Sequence, residues 1–495
     1  MNYLEQFREI RRVSTPWCVV TSPDYRAAIK LLAKVRINGE AEPPMVVWDC
    51  IGGHSGLNED GREAANRIGD AEMTFQAPVL LLTKALALPE DTVLFFVVPK
   101  SDLLLDAGIA QAVANLRDEF KSNRRTLVLM GVSVQLPELI AADVPILEDE
   151  LPNAEELRAI IADVSQVAGV KVPAKDAERA VDVLAGLTRF AAEEGVARKL
   201  RKSGIDVAGL GELQRSTIEA STNRALTWER ETWTFDDVGG LAAFKEFMGD
   251  IFAGPKKPSL IVRVDEIDKA ISAGATGSVA DNTGVSQDQL GVFLRSMEEN
   301  KWCGLIAAGG PGTGKSLSSI CAGNTFGART LVLDLGSTKA SLVGESERRI
   351  RQVMAVLKSI GGDRVCFMAT CNRLDTLPPE LQRRFWLGTW LFSVPTAEEK
   401  QAIWKIQMAR FGIKSEQPND DDWTGSDIRN CCQMAWITGT DLKTAAGRIT
   451  VAGKASRDQI DKLNDLADRS GFLSANEPGP YKKNKATQGR KMSIT

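Results

Sequence analysis

Histidine is almost missing from this chain: His54 is the only one in 495 residues. A His-rich metal centre is thereby excluded, and a Ser-His-Asp hydrolase has no support, because no nucleophile motif lies near His54. Cysteine is sparse as well, with eight residues at no CxxC spacing and Cys431 beside Cys432 on an expected helix. Neither a zinc site nor a disulfide framework is expected from such a pattern; buried, reduced thiols in a cytosol are. Long apolar runs are also lacking. The strongest, Val93 to Val98, is strand-sized and far too short to span a bilayer, so no membrane partner is expected. Residues Met1 to Arg12 contain no apolar h-region, so no secretory signal is expected either. Finally, there is no large excess of one charge. A net charge of -4 argues against a surface built wholly for nucleic acid and leaves room only for a local basic patch.

What is present is the composition of a globular protein, 43% apolar and 25% charged, long enough for two or three domains with substantial cores. Residues 1–151 alternate apolar strands (Cys18–Val20, Met45–Trp48, Val93–Val98, Leu127–Met130) with helical stretches at Tyr25–Val35 and Ile109–Phe120. That alternation predicts an α/β layer with a mainly parallel sheet. The turn after the first strand, Thr21-Ser-Pro-Asp24, has no glycine loop and no lysine, so a P-loop-like domain here has lost its nucleotide. Residues 152–230 read as a helical lid or linker, with apolar residues at helical spacing in Ala154–Val164, Asp176–Leu187 and Leu213–Ala220. A second α/β segment covers 231–396 and a second helical segment 397–469. The tail, 470–495, carries Lys482, Lys483, Lys485, Arg490 and Lys491 against one acid, Glu477. It reads as a mobile, solvated basic tail, with nucleic-acid contact the lesser expectation.

The chemistry is concentrated in the second half. Gly309-Gly310-Pro311-Gly312-Thr313-Gly314-Lys315-Ser316 is a complete GxxxxGK[ST] loop, placed after an apolar strand, Leu305–Ala308, and before an expected helix, Ser316–Gly323. Glycines allow successive N–H groups to turn toward phosphates at a helix N-terminus. Lys315 is placed to reach the β and γ phosphates, and the Ser316 hydroxyl to ligate Mg²⁺. A second strand, Leu260-Ile-Val-Arg-Val, ends at Asp265-Glu266 and aims both carboxylates at the edge where ligands of α/β sheets bind. Asp265 suits the water shell of the metal, and Glu266 suits the general base for an attacking water. A third strand, Arg364–Thr370, delivers Asn372, whose amide can orient that water. Arg383-Arg384 then precede an expected strand, Leu387–Val394, where arginines can stabilise transition-state charge in a neighbouring subunit.

These residues resemble the AAA+ ATPases, in particular the AAA-proper clade, over about 234–449. Thr234-Phe-Asp-Asp-Val238-Gly239-Gly-Leu241 is similar to the clade's opening motif beside the adenine pocket. Val343-Gly-Glu-Ser-Glu347 resembles its central-pore segment, Ala369-Thr-Cys-Asn372 its sensor 1, and Arg383-Arg384-Phe385 its arginine-finger segment. Thr424-Gly425-Ser426-Asp-Ile428 resembles the signature of the helical lid near ribose and phosphates. The resemblance implies ATP and Mg²⁺ as cofactors, with Val238, Gly239, Leu317, Gly425 and Ser426 joining the loop around the nucleotide. The first half, through Arg125–Met130, Leu136–Leu139 and Asp149–Leu157, is similar to the two-domain plastid and cyanobacterial family of hypothetical chloroplast reading frame forty-six, in which a degenerate, loop-less AAA-like domain precedes the active one.

Three features depart from the pattern. The acidic strand and its helix, Asp288–Glu299, come before the loop instead of after it, an order that, with Gly284–Gly291 leading into the loop strand, resembles bacteriophage-encoded relatives. Connections that still pass through helices keep right-handed crossovers feasible, so the site can be intact in space. Leu342-Val343 stand where threading relatives place an aromatic residue. The arginines lack an intervening Pro-Gly, which leaves the finger open between Arg383 and Arg384. The leading expectation is a Mg²⁺-dependent ATPase, assembled as a hexameric ring, that remodels a protein or nucleoprotein client in the cytoplasm, the bacterial host's if the gene is a phage's. The alternatives are an ATP-gated interaction switch with slow hydrolysis, and a DNA-associated motor of phage replication using the basic tail.

Overall fold

The computed structural model describes residues 2–36, 41–270, 287–338, 345–374, 377–451 and 457–483. Two compact units divide the chain, Met1–Leu210 and Gly211–Thr495.

In the first unit, β-branched and aromatic runs form β1 Trp17–Thr21, β2 Met45–Asp49, β3 Gly53–Gly56, β4 Val93–Val97, β5 Thr126–Gly131 and β6 Ile146–Glu148. Their order in the sheet is β3-β2-β4-β5-β1-β6, parallel except for the β2–β3 pair. Successive side chains of a strand point to opposite faces. Trp17, Trp48, Phe96 and Leu129 therefore enter one buried cluster while Cys18, Phe95, Val128 and Met130 enter another. Both faces are covered, as a parallel sheet requires. His54 lies inside this unit, 3% exposed, with both ring nitrogens engaged by the Thr74 hydroxyl and the Gly69 carbonyl. Its role is structural.

Helices Ala154–Val167, Ala174–Leu184 and Arg189–Lys199 follow, then a short hairpin, β7 Leu200–Arg201 with β8 Gly204–Ile205. The turn after β1 holds no phosphate loop; it is filled by side chains. Ser22 donates to Asp149 Oδ2 at 2.7 Å, and Arg189 binds Asp149 Oδ1 at 2.9 Å and Glu156 at 2.8 Å. Asp24 caps helix Tyr25–Leu32 with one oxygen and accepts the Phe190 amide with the other.

The second unit holds β9 Leu226–Trp228, β10 Leu260–Val264, β11 Cys303–Gly309, β12 Arg329–Leu333, β13 Val365–Cys371, β14 Thr389–Phe392 and β15 Leu473–Ser474. The sheet order is β15-β14-β11-β13-β10-β12-β9, with β9 alone antiparallel. The strand carrying Asn372 thus separates the loop strand β11 from the acidic strand β10. Helices Ala397–Phe411, Gly425–Thr438 and Leu442–Ala446 share a separate core of Trp404, Trp423, Ile428, Cys431 and Cys432.

Two stretches differ from their sequence reading. Leu226–Trp228, expected to end a helical segment, pairs with β12 because Leu226 and Trp228 alternate inward as buried residues. The start of the expected mobile tail is instead the edge strand β15, fixed where Leu391 accepts the Ala475 amide. Leu342 and Val343 of the expected pore segment, the approach at Gly284 and the basic residues beyond Lys483 lie outside the described residues. All eight cysteines are free thiols, and six of them, including Cys431 and Cys432, are buried. Among the described residues no helix is long and apolar enough to cross a membrane.

Arg189 is 15% and Asp149 1% exposed in their ion pair. Breaking a buried pair by deleting one partner costs about 3–5 kcal/mol. Arg189→Met is expected to lower the denaturant midpoint of the first unit accordingly; an unchanged midpoint would show that the pair is dispensable.

Candidate nucleotide site

Parallel register sets the site. Val264 lies level with Ala369, and Ala369 with Ile306, so β10, β13 and β11 finish at one edge of the sheet. Asp265, Thr370 and the loop that follows Gly309 therefore meet there although they are far apart in sequence.

The loop turns on glycine. Gly312 and Gly314 have φ of +80° and +95°, a region that side-chain-bearing residues avoid. Gly314 caps helix Lys315–Phe326. At Gly312 a Cβ would stand 2.0 Å from Ser426 Oγ and 2.6 Å from Thr424 Oγ1, so only glycine admits the start of helix Gly425–Thr438 against the loop. The Ser426 amide donates to the Gly312 carbonyl at 3.2 Å. Thr424 and Asp427 form a reciprocal cap that holds this helix start in place. Gly309 packs under the Phe392 carbonyl, Gly310 against Ile460, and the Thr313 hydroxyl donates to the Gly310 carbonyl. Pro311 lies between them and Leu317 packs into the core below.

Lys315 is 9% exposed, and its ammonium donates to the Gly309 and Gly310 carbonyls at 2.8 and 2.6 Å. Burial pulls its pKa down to about 8, the nearby acids only partly offsetting it. A buried cation bonded only to its own loop is well matched to a phosphate chain.

Opposite it, Ser316 Oγ donates to Asp265 Oδ1 at 2.7 Å, which joins loop and acidic strand directly. The Thr370 hydroxyl also reaches Asp265 Oδ1, at 3.3 Å, and accepts the Glu266 amide at 2.9 Å. Glu266 has φ +51°, strained for a non-glycine residue, and this bond helps to hold it there. Its carboxylate pairs with Lys269 at 2.6 Å. Asp268, 3% exposed, accepts the Arg373 amide and fixes the turn that carries Asn372. Asn372 Oδ1 is buried and meets no hydrogen-bond partner among the described residues. Such an orphaned acceptor beside two acids and a buried lysine fits a bound water or ligand proton.

The segment Val238-Gly239-Gly240 closes the loop's other flank. A Cβ on Gly239 would meet the Ile403 amide at 2.7 Å, Leu241 donates to Glu399 at 3.3 Å, and Val238 is 8% exposed. Thus the loop, Asp265, Glu266, Asn372, Gly425 and Ser426 gather around one edge, with Gly239 and Leu241 against the helix that begins at Ala397 and Val238 in the core beside them.

Arg383 and Arg384 are not brought to these residues. Leu381 and Phe385, 0% and 1% exposed, pin the short helix Pro379–Arg384, with Phe385 lying over Gly304. Arg384 pairs with Glu298 of its own chain, while Arg383 is exposed and makes no hydrogen bond or ion pair among the described residues. Sequence reasoning missed Thr370 as a link between the acids, and Arg263, which touches Asp265. The signal for Arg263 was there: a lone charge inside an apolar strand.

Residues 3–148 match the model of the SpoVK-like AAA ATPase, N-terminal domain. The chain is similar to the AAA domain-containing protein ycf46 of Guillardia theta, 20% identical over 94% of this chain and 95% of that one. It is similar to ycf46 of Pyropia yezoensis, 18% identical over 94% and 98%, and of Trieres chinensis, 20% identical over 82% and 80%. The chain is thus similar to SpoVK-like AAA ATPases over residues 3–148 and, at low identity, to ycf46 proteins along most of its length.

Anion binding to Lys315 requires the ammonium form. Phosphates stabilise that form, so binding takes up a proton once pH passes the free-state pKa of about 8. Affinity for a fluorescent ATP analogue is expected to be level below pH 8 and to fall above it, by up to about tenfold per unit. Titrations from pH 7 to 9.5 check this; a flat profile would contradict it.

Proposed function

We propose that this protein is a Mg²⁺-dependent ATPase that works as a head-to-tail ring, hexameric by family resemblance, and uses hydrolysis to move a protein or nucleoprotein client. The observation that carries the reading is the 2.7 Å contact of Ser316 with Asp265, which unites the two halves of an ATPase site despite their reversed order. That reversal, with the loop strand and acidic strand still on either side of the Asn372 strand, is why we read the chain as a permuted, phage-type relative acting in its host's cytosol.

ATP would lie along the 309–316 loop, with Lys315 transferring its hydrogen bonds from the loop carbonyls to phosphate oxygens. Ser316 and Asp265 would hold the magnesium ion, whose charge would offset that of the phosphates. Glu266 would take the proton of the attacking water after leaving Lys269, and the buried Asn372 oxygen would orient that water. The contact of Ser426 with Gly312 gives the segment 397–469, read as a lid, a direct route for feeling the phosphates and rotating on the core.

No arginine of the chain's own finger segment reaches its site, so the charge is expected from a neighbour. Arg383, exposed and unpaired among the described residues, is the better finger; Arg384 is held by Glu298. Trp386 beside it is 66% exposed, a large aromatic suited to anchoring the same interface. A second reading, the ATP-gated switch with slow turnover, is favoured by one observation: Glu266 is tied up by Lys269.

Glu266→Gln is expected to abolish turnover and keep ATP binding, and Arg383→Ala to abolish turnover in the same way. Mixing the two inactive variants should restore part of it, because each supplies what its neighbour lacks. An Arg383→Ala variant as active as wild type, or mixtures that stay inactive, would contradict a finger acting between subunits.

A further inference from the structure

A charged residue lies inside the apolar strand that carries Asp265. Leu260, Ile261, Val262 and Val264 of β10 are all 1% exposed or less, yet Arg263 stands among them. Burying a guanidinium is costly unless it is fully paired. Arg263 Nε lies 2.9 Å from Asp265 Oδ2, and Nη1 lies 2.6 Å from Glu229 Oε2, with the Arg263 and Glu229 side chains 14% and 11% exposed. Arg263 and Asp265 are two residues apart and so share a face of the strand. Glu229 follows β9 at the far edge of the sheet and is fixed by its own amide, which donates to the Thr330 carbonyl of β12. The guanidinium therefore spans from the sheet's edge to the acid at the loop.

The consequence for Asp265 is a division of labour between its oxygens. Oδ1 accepts the Ser316 and Thr370 hydroxyls, while Oδ2 faces Arg263 Nε as an ion pair whose alignment is not that of a hydrogen bond. We propose that Arg263, braced by Glu229, is a positioning residue that locks Asp265 with Oδ1 turned toward Ser316 and the divalent cation of the nucleotide. It rests on the Mg²⁺–ATP reading of the site. Its charge also offsets that of Asp265, so the empty pocket attracts little free cation, and the metal enters with the phosphates.

Removing Arg263 alone would mix two opposed effects. Asp265 would loosen, but two unpaired acids would then draw the cation more strongly. The double variant Arg263→Met/Glu229→Gln removes one charge of each sign and isolates the loss of orientation. Binding of a fluorescent ATP analogue to the full chain, in EDTA and across a Mg²⁺ series, is the measurement. Outer-shell partners of metal sites typically contribute 10–100-fold in metal affinity. In the double variant, binding in EDTA should stay within about twofold of wild type, while the Mg²⁺ concentration for half-maximal tightening rises about tenfold. Arg263→Lys, which keeps the charge but loses the fork, should fall between. An unchanged Mg²⁺ titration, or an equal loss of binding with and without Mg²⁺, would overturn the proposal and leave the pair a purely structural one. Wild-type protein that binds no analogue, or binds it without regard to Mg²⁺, would instead overturn the underlying Mg²⁺–ATP reading.

Discussion

Hydrogen-bond register across β10, β13 and β11 is the constraint on which the site depends. A parallel ladder admits no free choice once its buried faces are set, because a slip of one residue would turn every inward side chain outward. Here Phe367 and Ala369 of the middle strand are 0% exposed, and so are Val262 and Leu305 beside them. That packing fixes the level at which each strand ends. Asp265 emerges beside Thr370, the loop emerges beyond them, and the Ser316 hydroxyl meets the carboxylate. Chain order does not enter into this geometry; only the neighbours in the sheet do.

For that reason the unusual order of the two motifs could be recognised in the sequence, but its outcome could not be derived there. Strand placement was legible: apolar runs with β-branched residues marked β10, β11 and β13 to within a residue or two. The 309–316 loop was legible because glycine, lysine and serine at fixed spacing have one common physical use. The edge strand β15 was not, since Leu473–Ser474 is too short to show a period and is held by backbone pairing to β14. Nor was the different fate of Arg383 and Arg384. The two arginines are adjacent and alike in sequence, and what separates them is Glu298, a residue on a helix 86 positions before Arg384 that only folding brings near.

The two units treat the same topological position in opposite ways. After β1, the sheet edge is closed by the chain's own charges: Arg189, Asp149 and Glu156 satisfy one another, and Ser22 and Asp24 complete the cluster. After β11, charge is left unsatisfied or only provisionally satisfied. Lys315 is bonded to carbonyls, Glu266 is strained and held by a surface lysine, and the Asn372 oxygen has no partner among the described residues. Full pairing makes a rigid edge; incomplete pairing makes one that gains from a ligand. The contrast separates an edge closed by its own side chains from one left open to a ligand.

In the proposed site Ser316 and Asp265 serve one metal. A double-mutant cycle separates this from independent roles, comparing Mg²⁺-dependent tightening of nucleotide binding in Ser316→Ala, Asp265→Asn and the combined variant. If the residues share a cation, either substitution removes most of the tightening, and the combination loses little more than the worse single change. Losses that simply add would mean two independent sites of action, and the displaced acidic strand would not be completing the phosphate loop.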